Sequence, residues 1–188
     1  MPFRKIKNVF FVGIGGIGMS GIAELLLNLG FNVSGSDMNE NDNVKRLKKL
    51  GVDIKIGHDP GNLIQTDVLV FSSAVPLENP EIVRARQKGI PVIRRAEMLG
   101  EMISVKETSI AIGGTHGKTT TSSMVGTILA HAKKDPTLVV GGLVQNLNSN
   151  SKLGSGDIIV VEADEFDRSF LALKPTICLL YTSDAADE

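Results

Sequence analysis

The sequence contains no tryptophan, one tyrosine and one cysteine among 188 residues. A single cysteine excludes a disulfide framework and a cysteine-rich zinc site. The chain has 20 Lys and Arg against 21 Asp and Glu, so it lacks the basic excess of a general nucleic-acid binder. No apolar run approaches the ~20 residues that span a bilayer, and the basic start is a poor secretory signal. We therefore expect a soluble cytoplasmic protein that binds neither nucleic acid nor membrane.

Glycine is abundant, with 20 residues, and it concentrates in two places. Runs rich in β-branched and aromatic residues predict strands at 8–12, 31–34, 52–56, 67–71, 91–93, 109–112, 138–140 and 157–161. Apolar spacing and end signals predict helices at 19–29, 44–50, 80–88 and 119–131. The segment 145–156, dense in Asn, Ser and Gly, predicts a surface loop. Alternating strands and helices indicate an α/β fold with parallel sheets covered on both faces.

The first glycine cluster, Gly13 to Gly18, is a G-x-G-x-x-G between a predicted strand and a predicted helix. Such a turn lets the backbone approach a diphosphate, and the helix directs its free N–H groups at that anion. Asp37 follows at the end of the next strand, where it could accept hydrogen bonds from a ribose. Taken alone, this half suggests a dinucleotide-dependent oxidoreductase. The alternatives are a turn that serves only close packing, with Asp37 as a solvated turn residue or a helix cap.

The second cluster, Gly113 to Thr120, resembles a phosphate-binding P-loop, but the strict signature fails because position 112 is Ile112 and not glycine. The physical parts remain. Main-chain N–H groups can cradle phosphate oxygens, Lys118 can neutralise phosphate charge, and the Thr119 hydroxyl can ligate Mg²⁺. The alternative is a helix N-terminus that carries a lysine and threonine caps.

Acidic and basic residues near the predicted strand ends add further candidates. Glu162 ends an apolar strand, where it could hold Mg²⁺ directly or through water. The acids after it, Asp164, Glu165 and Asp167, are equally compatible with a surface turn. His58 either contacts a ligand or is simply exposed. Arg94 and Arg95 either bind phosphate or form a solvated basic pair.

Two phosphate cradles in tandem suggest one nucleotide bound as substrate and a second bound as ATP. At this point the sequence resembles the Mur ligase family over residues 8–177. The resemblance rests on GIGGIGMSG at 13–21, GSD at 35–37, SSAVP at 72–76, RAEML at 95–99, GTHGKTT at 114–120 and VEADEFDRSF at 161–170.

The resemblance implies a domain and a set of contacts for each nucleotide. Residues 1–103 would form a Rossmann-like parallel-sheet domain that binds the UDP part of UDP-N-acetylmuramate, and residues 104–177 the first part of a P-loop α/β domain that binds ATP. The implied UDP-sugar contacts are Gly15, Gly16, Ile17, Gly18, Asp37 and Ser72. The implied ATP contacts are Gly114, Thr115, His116, Gly117, Lys118, Thr119 and Thr120. Thr119 and Glu162 would hold Mg²⁺, and Lys118 and Glu162 would be catalytic.

The activity implied by the resemblance is ATP-dependent ligation of L-alanine to UDP-N-acetylmuramate through an acyl phosphate, in peptidoglycan biosynthesis. His116 is shared by the alanine-adding and murein-peptide-recycling members, and the GIGMS stretch at 16–20 favours the alanine-adding ones. The recycling activity and a non-catalytic UDP-sugar-binding module stay as alternatives.

The end of the sequence departs from the family. Family members continue through the rest of the central domain and add a C-terminal domain that helps select the amino acid. Residues 178–188 resemble a translated sequencing adapter and hold the only cysteine and the only tyrosine. We therefore expect 178–188 to be non-native and outside the fold, and the 188-residue chain to be inactive in ligation by itself.

Overall fold

The computed structural model describes residues 6–104, 106–144, 149–163 and 173–181. The chain divides into two units, residues 1–98 and 99–188. The division lies a few residues before the boundary that the sequence suggested at 103. Each unit contains its own sheet, and the α/β fold with a parallel first sheet is confirmed.

The first unit is built on a five-stranded, fully parallel sheet in the order β3-β2-β1-β4-β5. Its strands are β1 (Asn8–Val12), β2 (Asn32–Asp37), β3 (Asp53–Ile56), β4 (Val68–Phe71) and β5 (Val92–Arg94). The central strand β1 is hydrophobic and almost entirely buried, as expected of a strand covered on both faces. The strand order reverses beside β1, because β2 and β4 lie on its two sides. Ligands of open α/β sheets bind at the carboxyl ends of strands at such a reversal.

Three helices lie between these strands close to the predicted positions, namely α1 (Ile17–Asn28), α2 (Asp42–Lys49) and α3 (Pro80–Gln87). A short 3-10 helix (Pro60–Asn62) precedes β4, and α4 (Arg95–Ile103) follows β5. Part of the core lies where Phe10 and Leu69 of the sheet pack with Ile82 and Ala85 of α3. Both α1 and α2 begin two residues before the apolar periodicity predicts. The additional residues are Ile17 and Gly18 in α1 and Asp42 and Asn43 in α2.

The second unit has a five-stranded sheet in the order β10-β6-β9-β7-β8. Its elements are β6 (Thr108–Gly114), α5 (Lys118–His131), β7 (Thr137–Val144), β8 (Ser149–Lys152), β9 (Ile158–Ala163) and β10 (Ile177–Tyr181). All neighbouring strands are parallel except β7 and β8, which are antiparallel. Ile112, Leu138 and Val160 form a buried cluster between this sheet and α5.

Two segments differ from the sequence expectation. The predicted loop 145–156 contains β8, whose residues pair with β7 although Ser, Asn and Lys are weak strand formers. The end of the chain, which we expected to lie outside the fold, contributes β10 through Tyr181, paired with the edge of β6. Both are edge strands whose pairing satisfies the backbone groups of a neighbouring strand, which composition does not reveal. Residues 182–188 lie outside the described residues, and the non-native origin of the tail stays a prediction.

In the described part of the chain, no helix combines the length and apolar character that crossing a bilayer requires.

Candidate functional site

The first glycine turn is fixed by main-chain hydrogen bonds between the ends of β1 and β2. The N–H groups of Gly13 and Ile14 both donate to the Ser36 carbonyl, at 2.9 and 3.1 Å, and the Gly16 N–H donates to the Gly13 carbonyl at 3.2 Å. Gly13 has a φ of 78°, a left-handed conformation that favours glycine. The turn therefore needs glycine at position 13 for its own geometry, independently of any ligand.

Asp37 holds this turn rather than lying free beside it. Its Oδ2 accepts from the Gly15 N–H at 2.8 Å, and its Oδ1 accepts from the Asn39 N–H at 3.1 Å. The side-chain amides of Asn41 and Asn43 donate to the Gly15 carbonyl at 3.1 and 2.9 Å. Both backbone groups of Gly15 are thus already engaged within the protein, and this residue is buried.

The first turn of α1 is the part of the motif that is suited to an anion. The N-cap is Gly16, which has no side chain to accept from the first N–H groups of the helix. Gly16 and Ile17 are exposed and Gly18 is half-buried. A Cβ atom on Gly18 would lie 2.6 Å from Nη1 of Arg95, so a guanidinium group lies against the same helical turn. A helix N-terminus and a guanidinium both favour anionic oxygens.

A cavity of about 590 Å³ adjoins this turn. Its lining includes Gly13, Gly16, Asp37, His58 and Ser72. The structure therefore brings Asp37 and Ser72, which are distant in sequence, to the glycine turn at the carboxyl end of the sheet. The volume lies within the range of small-ligand sites.

Behind His58, which lines this cavity, lies a polar cluster that the sequence patterns do not reveal. Glu81 is completely buried, and its carboxylate accepts hydrogen bonds from Ser36, His58 and Asn62. A glutamate in the first turn of a helix is usually exposed, and its negative charge interacts favourably with the helix dipole. The three hydrogen bonds that Glu81 accepts come from separate elements of the fold. No sequence motif therefore links Glu81 to Ser36, His58 and Asn62.

The second glycine turn lies between β6 and α5. Gly113 and Gly114 are buried at the end of β6, whereas Thr115, His116 and Gly117 are exposed. Gly117 has a φ of 79° and is the N-cap of α5, and the first turn of this helix contains no acidic residue.

Two residues of the first turn of α5 also lie at this glycine turn. The Lys118 side chain folds back across the turn and donates from Nζ to the Gly114 carbonyl at 2.6 Å. Thr119 is half-buried and Thr120 exposed. An uncapped helix N-terminus with a lysine at its first position can bind phosphate.

Glu162 lies at the carboxyl end of β9, the strand that pairs with β6. Its register partner is Ile112, and Ala163 pairs with Gly113, so Glu162 lies beside the strand that leads into the turn. Among the described residues, no group of three or more His, Cys, Asp or Glu side chains could hold a metal ion. Mg²⁺ at Thr119 and Glu162 would therefore need phosphate or water oxygens as its other ligands, which is its usual preference. The other acids of this segment, Asp164, Glu165 and Asp167 together with Arg168, lie outside the described residues.

Tyr181 of β10 packs against the second glycine turn. A Cβ atom on Gly114 would lie 2.5 Å from the Tyr181 ring, and one on Gly117 would lie 3.5 Å from its hydroxyl. The hydroxyl is buried and has no hydrogen-bond partner within the described ranges. The aromatic ring thus covers part of the surface that the motif predicts to bind ATP.

Residues 8–107 match the Mur ligase family, catalytic domain. The chain is 56% identical to the UDP-N-acetylmuramate–L-alanine ligase of Trichlorobacter lovleyi over 183 residues, which is 97% of this chain and 40% of that protein. It is also similar to the crystal structure of the UDP-N-acetylmuramate–alanine ligase of Thermotoga maritima, with 34% identity, a TM-score of 0.86, and coverage of 96% of this chain and 42% of the other.

A second structural similarity is to the UDP-N-acetylmuramate:L-alanyl-gamma-D-glutamyl-meso-diaminopimelate ligase of Neisseria meningitides. The identity is 28% and the TM-score 0.86, over 97% of this chain and 63% of the other. The chain spans about 40% of the length of the curated relatives it matches.

Proposed function

The chain belongs to the Mur ligase family, and from this membership we propose that it forms the UDP-sugar-binding unit and the first part of the ATP-binding unit of an enzyme that joins L-alanine to UDP-N-acetylmuramate. One observation carries the proposal. In each unit, a parallel strand leads through a glycine turn into a helix whose N-cap is a glycine, Gly16 in α1 and Gly117 in α5. Two such helix N-termini suit two different phosphorylated ligands.

In the first unit, the diphosphate of UDP-N-acetylmuramate binds at the first turn of α1, at Gly16, Ile17 and Gly18. The Gly15 N–H is not among these contacts, because Asp37 already accepts from it. Asp37 therefore has a double role in this proposal. It shapes the glycine turn, and its carboxylate, which lines the cavity beside Ser72, accepts from a ligand hydroxyl.

In the second unit, ATP binds at residues 114–120. Lys118 exchanges its bond to the Gly114 carbonyl for a phosphate oxygen, and there it offsets the charge of the transferring phosphoryl group. Thr119 and Glu162 are the residues that would hold Mg²⁺, which when bound neutralises phosphate charge. The γ-phosphoryl group of ATP passes to the substrate carboxylate, its bond to the β-phosphate oxygen breaks, and ADP and an acyl phosphate form. The amino group of L-alanine then attacks the carbonyl carbon, and inorganic phosphate leaves.

The alanine-adding activity is favoured over murein-peptide recycling by sequence identity. Among the solved structures, the alanine ligase of Thermotoga maritima is 34% identical and the murein-peptide ligase of Neisseria meningitides 28% identical, and two of the curated relatives, at 56% and 55% identity, are alanine ligases. An oxidoreductase that uses only the first unit gives Lys118 and the second glycine turn no role. Peptidoglycan precursors are made in the cytoplasm, which is where this function places the protein.

Calorimetric titration of the 188-residue chain tests the proposal. We expect UDP-N-acetylmuramate to bind and NADH not to bind. In a second titration, we expect Lys118→Ala to weaken ATP binding in the presence of Mg²⁺ by about tenfold or more. The exposed Lys174 of the same unit provides a matched control, and Lys174→Ala should leave ATP affinity unchanged. Binding of NADH in preference to the UDP-sugar would refute the ligase assignment, and an unchanged ATP affinity in Lys118→Ala would favour a non-catalytic module.

A further inference from the structure

His58 is held at the wall of the first-unit cavity by a completely buried carboxylate. Its Nδ1 lies 3.0 Å from Glu81 Oε2 and 2.9 Å from Ser36 Oγ. The His58 side chain is 14% exposed and that of Glu81 is 0% exposed. The ring is thus anchored on its Nδ1 side, and His58 is among the residues that line the cavity.

The hydrogen bonds of Glu81 determine which nitrogen of His58 carries a proton. The Ser36 hydroxyl donates to Glu81 Oε2 at 2.6 Å, and the Asn62 amide donates to Oε1 at 2.7 Å. A buried carboxylate is tolerated only when donors surround it. Because the Ser36 proton points at the carboxylate, His58 Nδ1 cannot accept it and must itself donate. Nδ1 therefore carries hydrogen in the neutral ring as well as in the charged ring.

The hydrogen bonds of the ring to other described residues are all made by Nδ1 and none by Nε2, and His58 is one of the residues that line the cavity. With Nδ1 always protonated, titration of the ring changes Nε2 alone. Nε2 is an acceptor when the ring is neutral and a donor when the ring is charged. Nδ1 donates to Glu81 in both charge states of the ring. Protonation of the ring therefore changes only Nε2, which turns from a hydrogen-bond acceptor into a donor.

The charges around the ring decide what this nitrogen can bind. Asp37 and Glu78 line the same cavity, Glu81 lies behind the ring, and Asp59 follows it in the chain. His58 is the only described lining residue whose side chain can carry positive charge. A phosphorylated ligand in a cavity lined by Asp37 and Glu78 needs positive partners, and the lining offers the start of α1 and the His58 ring.

We propose that His58 binds the sugar nucleotide of this cavity by donating from protonated Nε2 to an anionic diphosphate oxygen, and that Glu81 is a positioning residue that fixes the ring in this orientation. The inference rests on the proposed function, which supplies the sugar nucleotide. It adds to that function a ligand-binding residue and a pH dependence of substrate affinity.

The test is calorimetry of the 188-residue chain with UDP-N-acetylmuramate between about pH 5 and 8, the range in which imidazole changes charge. The diphosphate diester and the lactyl carboxylate of this ligand keep their charges over the range. We expect the affinity of the unaltered chain to fall about tenfold as the pH rises, the usual size of one charge-assisted hydrogen bond. In His58→Gln, whose amide can donate but does not titrate, the profile should be flat.

Two controls check that the pH dependence comes from His58 and from the diphosphate. His131→Gln changes an exposed histidine of α5 that bonds only to the Thr127 carbonyl, and it should keep the full pH dependence. Uridine, which has no phosphate, should bind the unaltered chain with no pH dependence. If the affinity for uridine changed with pH as much as the affinity for the sugar nucleotide, the diphosphate would not be the partner of His58.

Long-range proton–nitrogen NMR of the unaltered chain checks the tautomer without any substitution, since the chain has only three histidines. We expect Nδ1 of His58 to remain protonated at high pH, and an unprotonated Nδ1 would overturn the inference. For Glu81→Gln, verified as folded by circular dichroism, the affinity for the sugar nucleotide at about pH 5 should fall because the ring is no longer held through Nδ1, and an unchanged affinity would refute the positioning role. If the affinity of His58→Gln for the sugar nucleotide still fell with rising pH, the role of His58 alone would be refuted. If the unaltered chain did not bind the sugar nucleotide at any pH, the proposed function would be refuted as well.

Discussion

The two central glycines of the first turn differ in what surrounds them, and replacing each by alanine separates packing from ligand binding. A Cβ atom on Gly15 would lie 2.7 Å from Cγ2 of Val44 and 2.8 to 2.9 Å from the Asn41 amide. A Cβ atom on Gly16 would meet its nearest neighbour, the Gly13 carbonyl, at 3.5 Å, which is an ordinary contact. Neither glycine has a positive φ, so alanine is not strained by backbone conformation at either position.

The magnitude for Gly15→Ala follows from these contacts. Val44 is completely buried and β-branched, so it cannot turn away without disturbing the core, and overpacking of this kind costs about 1–3 kcal/mol. Moving Asn41 breaks its N-cap bond to the Val44 N–H and its bond to the Gly15 carbonyl, and loss of a cap costs about 1 kcal/mol. We expect Gly15→Ala to lower the free energy of unfolding by about 2–4 kcal/mol. Gly16→Ala should lower it by about 1 kcal/mol or less, which is the cost of replacing a glycine N-cap by alanine without any steric collision.

The assay is hydrogen exchange followed by mass spectrometry, together with urea unfolding followed by circular dichroism. Tryptophan fluorescence offers no signal because the chain has none. The loss of protection in Gly15→Ala should concentrate in α2 and the end of β1, where the collision occurs. Equal stability of the two variants, or a loss of protection confined to the second unit, would refute the role of packing at Gly15.

Three further predictions concern other parts of the chain. Glu81→Gln places an amide N–H group opposite the hydrogen-bond donors of the buried cluster. We expect it to lower the free energy of unfolding, measured by urea titration, by about 3–5 kcal/mol. A loss below about 1 kcal/mol would contradict the hydrogen bonding described. The backbone N–H groups of Lys7 and Asn8 lower the pKa of Asp67, so this carboxylate stabilises the fold above its unfolded pKa, and the stability is lost as the pH falls through the folded pKa. The stability difference between the wild-type chain and Asp67→Asn should accordingly be largest near neutral pH and shrink below about pH 4, and a difference independent of pH would be inconsistent with this cause. Gly117→Val places a β-branched residue at a φ of 79°, and a left-handed backbone costs such residues about 1–2 kcal/mol. We expect the variant to have a lower melting temperature and, in calorimetry, a weaker affinity for ATP. Unchanged ATP affinity would argue against phosphate binding at this turn.

The sequence predicted the described elements best where local chemistry decides them. Strand β1 occupies the predicted residues, and α3 and α5 differ from prediction by one residue at one end, because hydrophobic periodicity, proline and glycine act over a few residues. The edge strands β8 and β10 were not predicted. β8 is stabilised by pairing with β7, and β10 by pairing with β6. The composition of a segment does not show that such a partner strand exists elsewhere in the fold.

The candidate sites divide in the same way. The glycine turns, Asp37, Ser72, Lys118 and Glu162 were selected from motifs, and their catalytic and binding roles stay predictions. The bond from the Gly15 N–H to Asp37 was not foreseen, because a sequence pattern does not distinguish a carboxylate that binds ligand from one that shapes the turn.

By itself, the sequence determined the alternation of strands and helices, the two glycine turns and the family, since each is written in residue types at short spacing. The tertiary structure decided what those residues touch. It placed a buried glutamate behind His58, a carboxylate against the Gly15 N–H and a tyrosine ring against Gly114. These contacts join residues far apart in the chain, and only the packing of separate elements sets their distances, burial and hydrogen bonds.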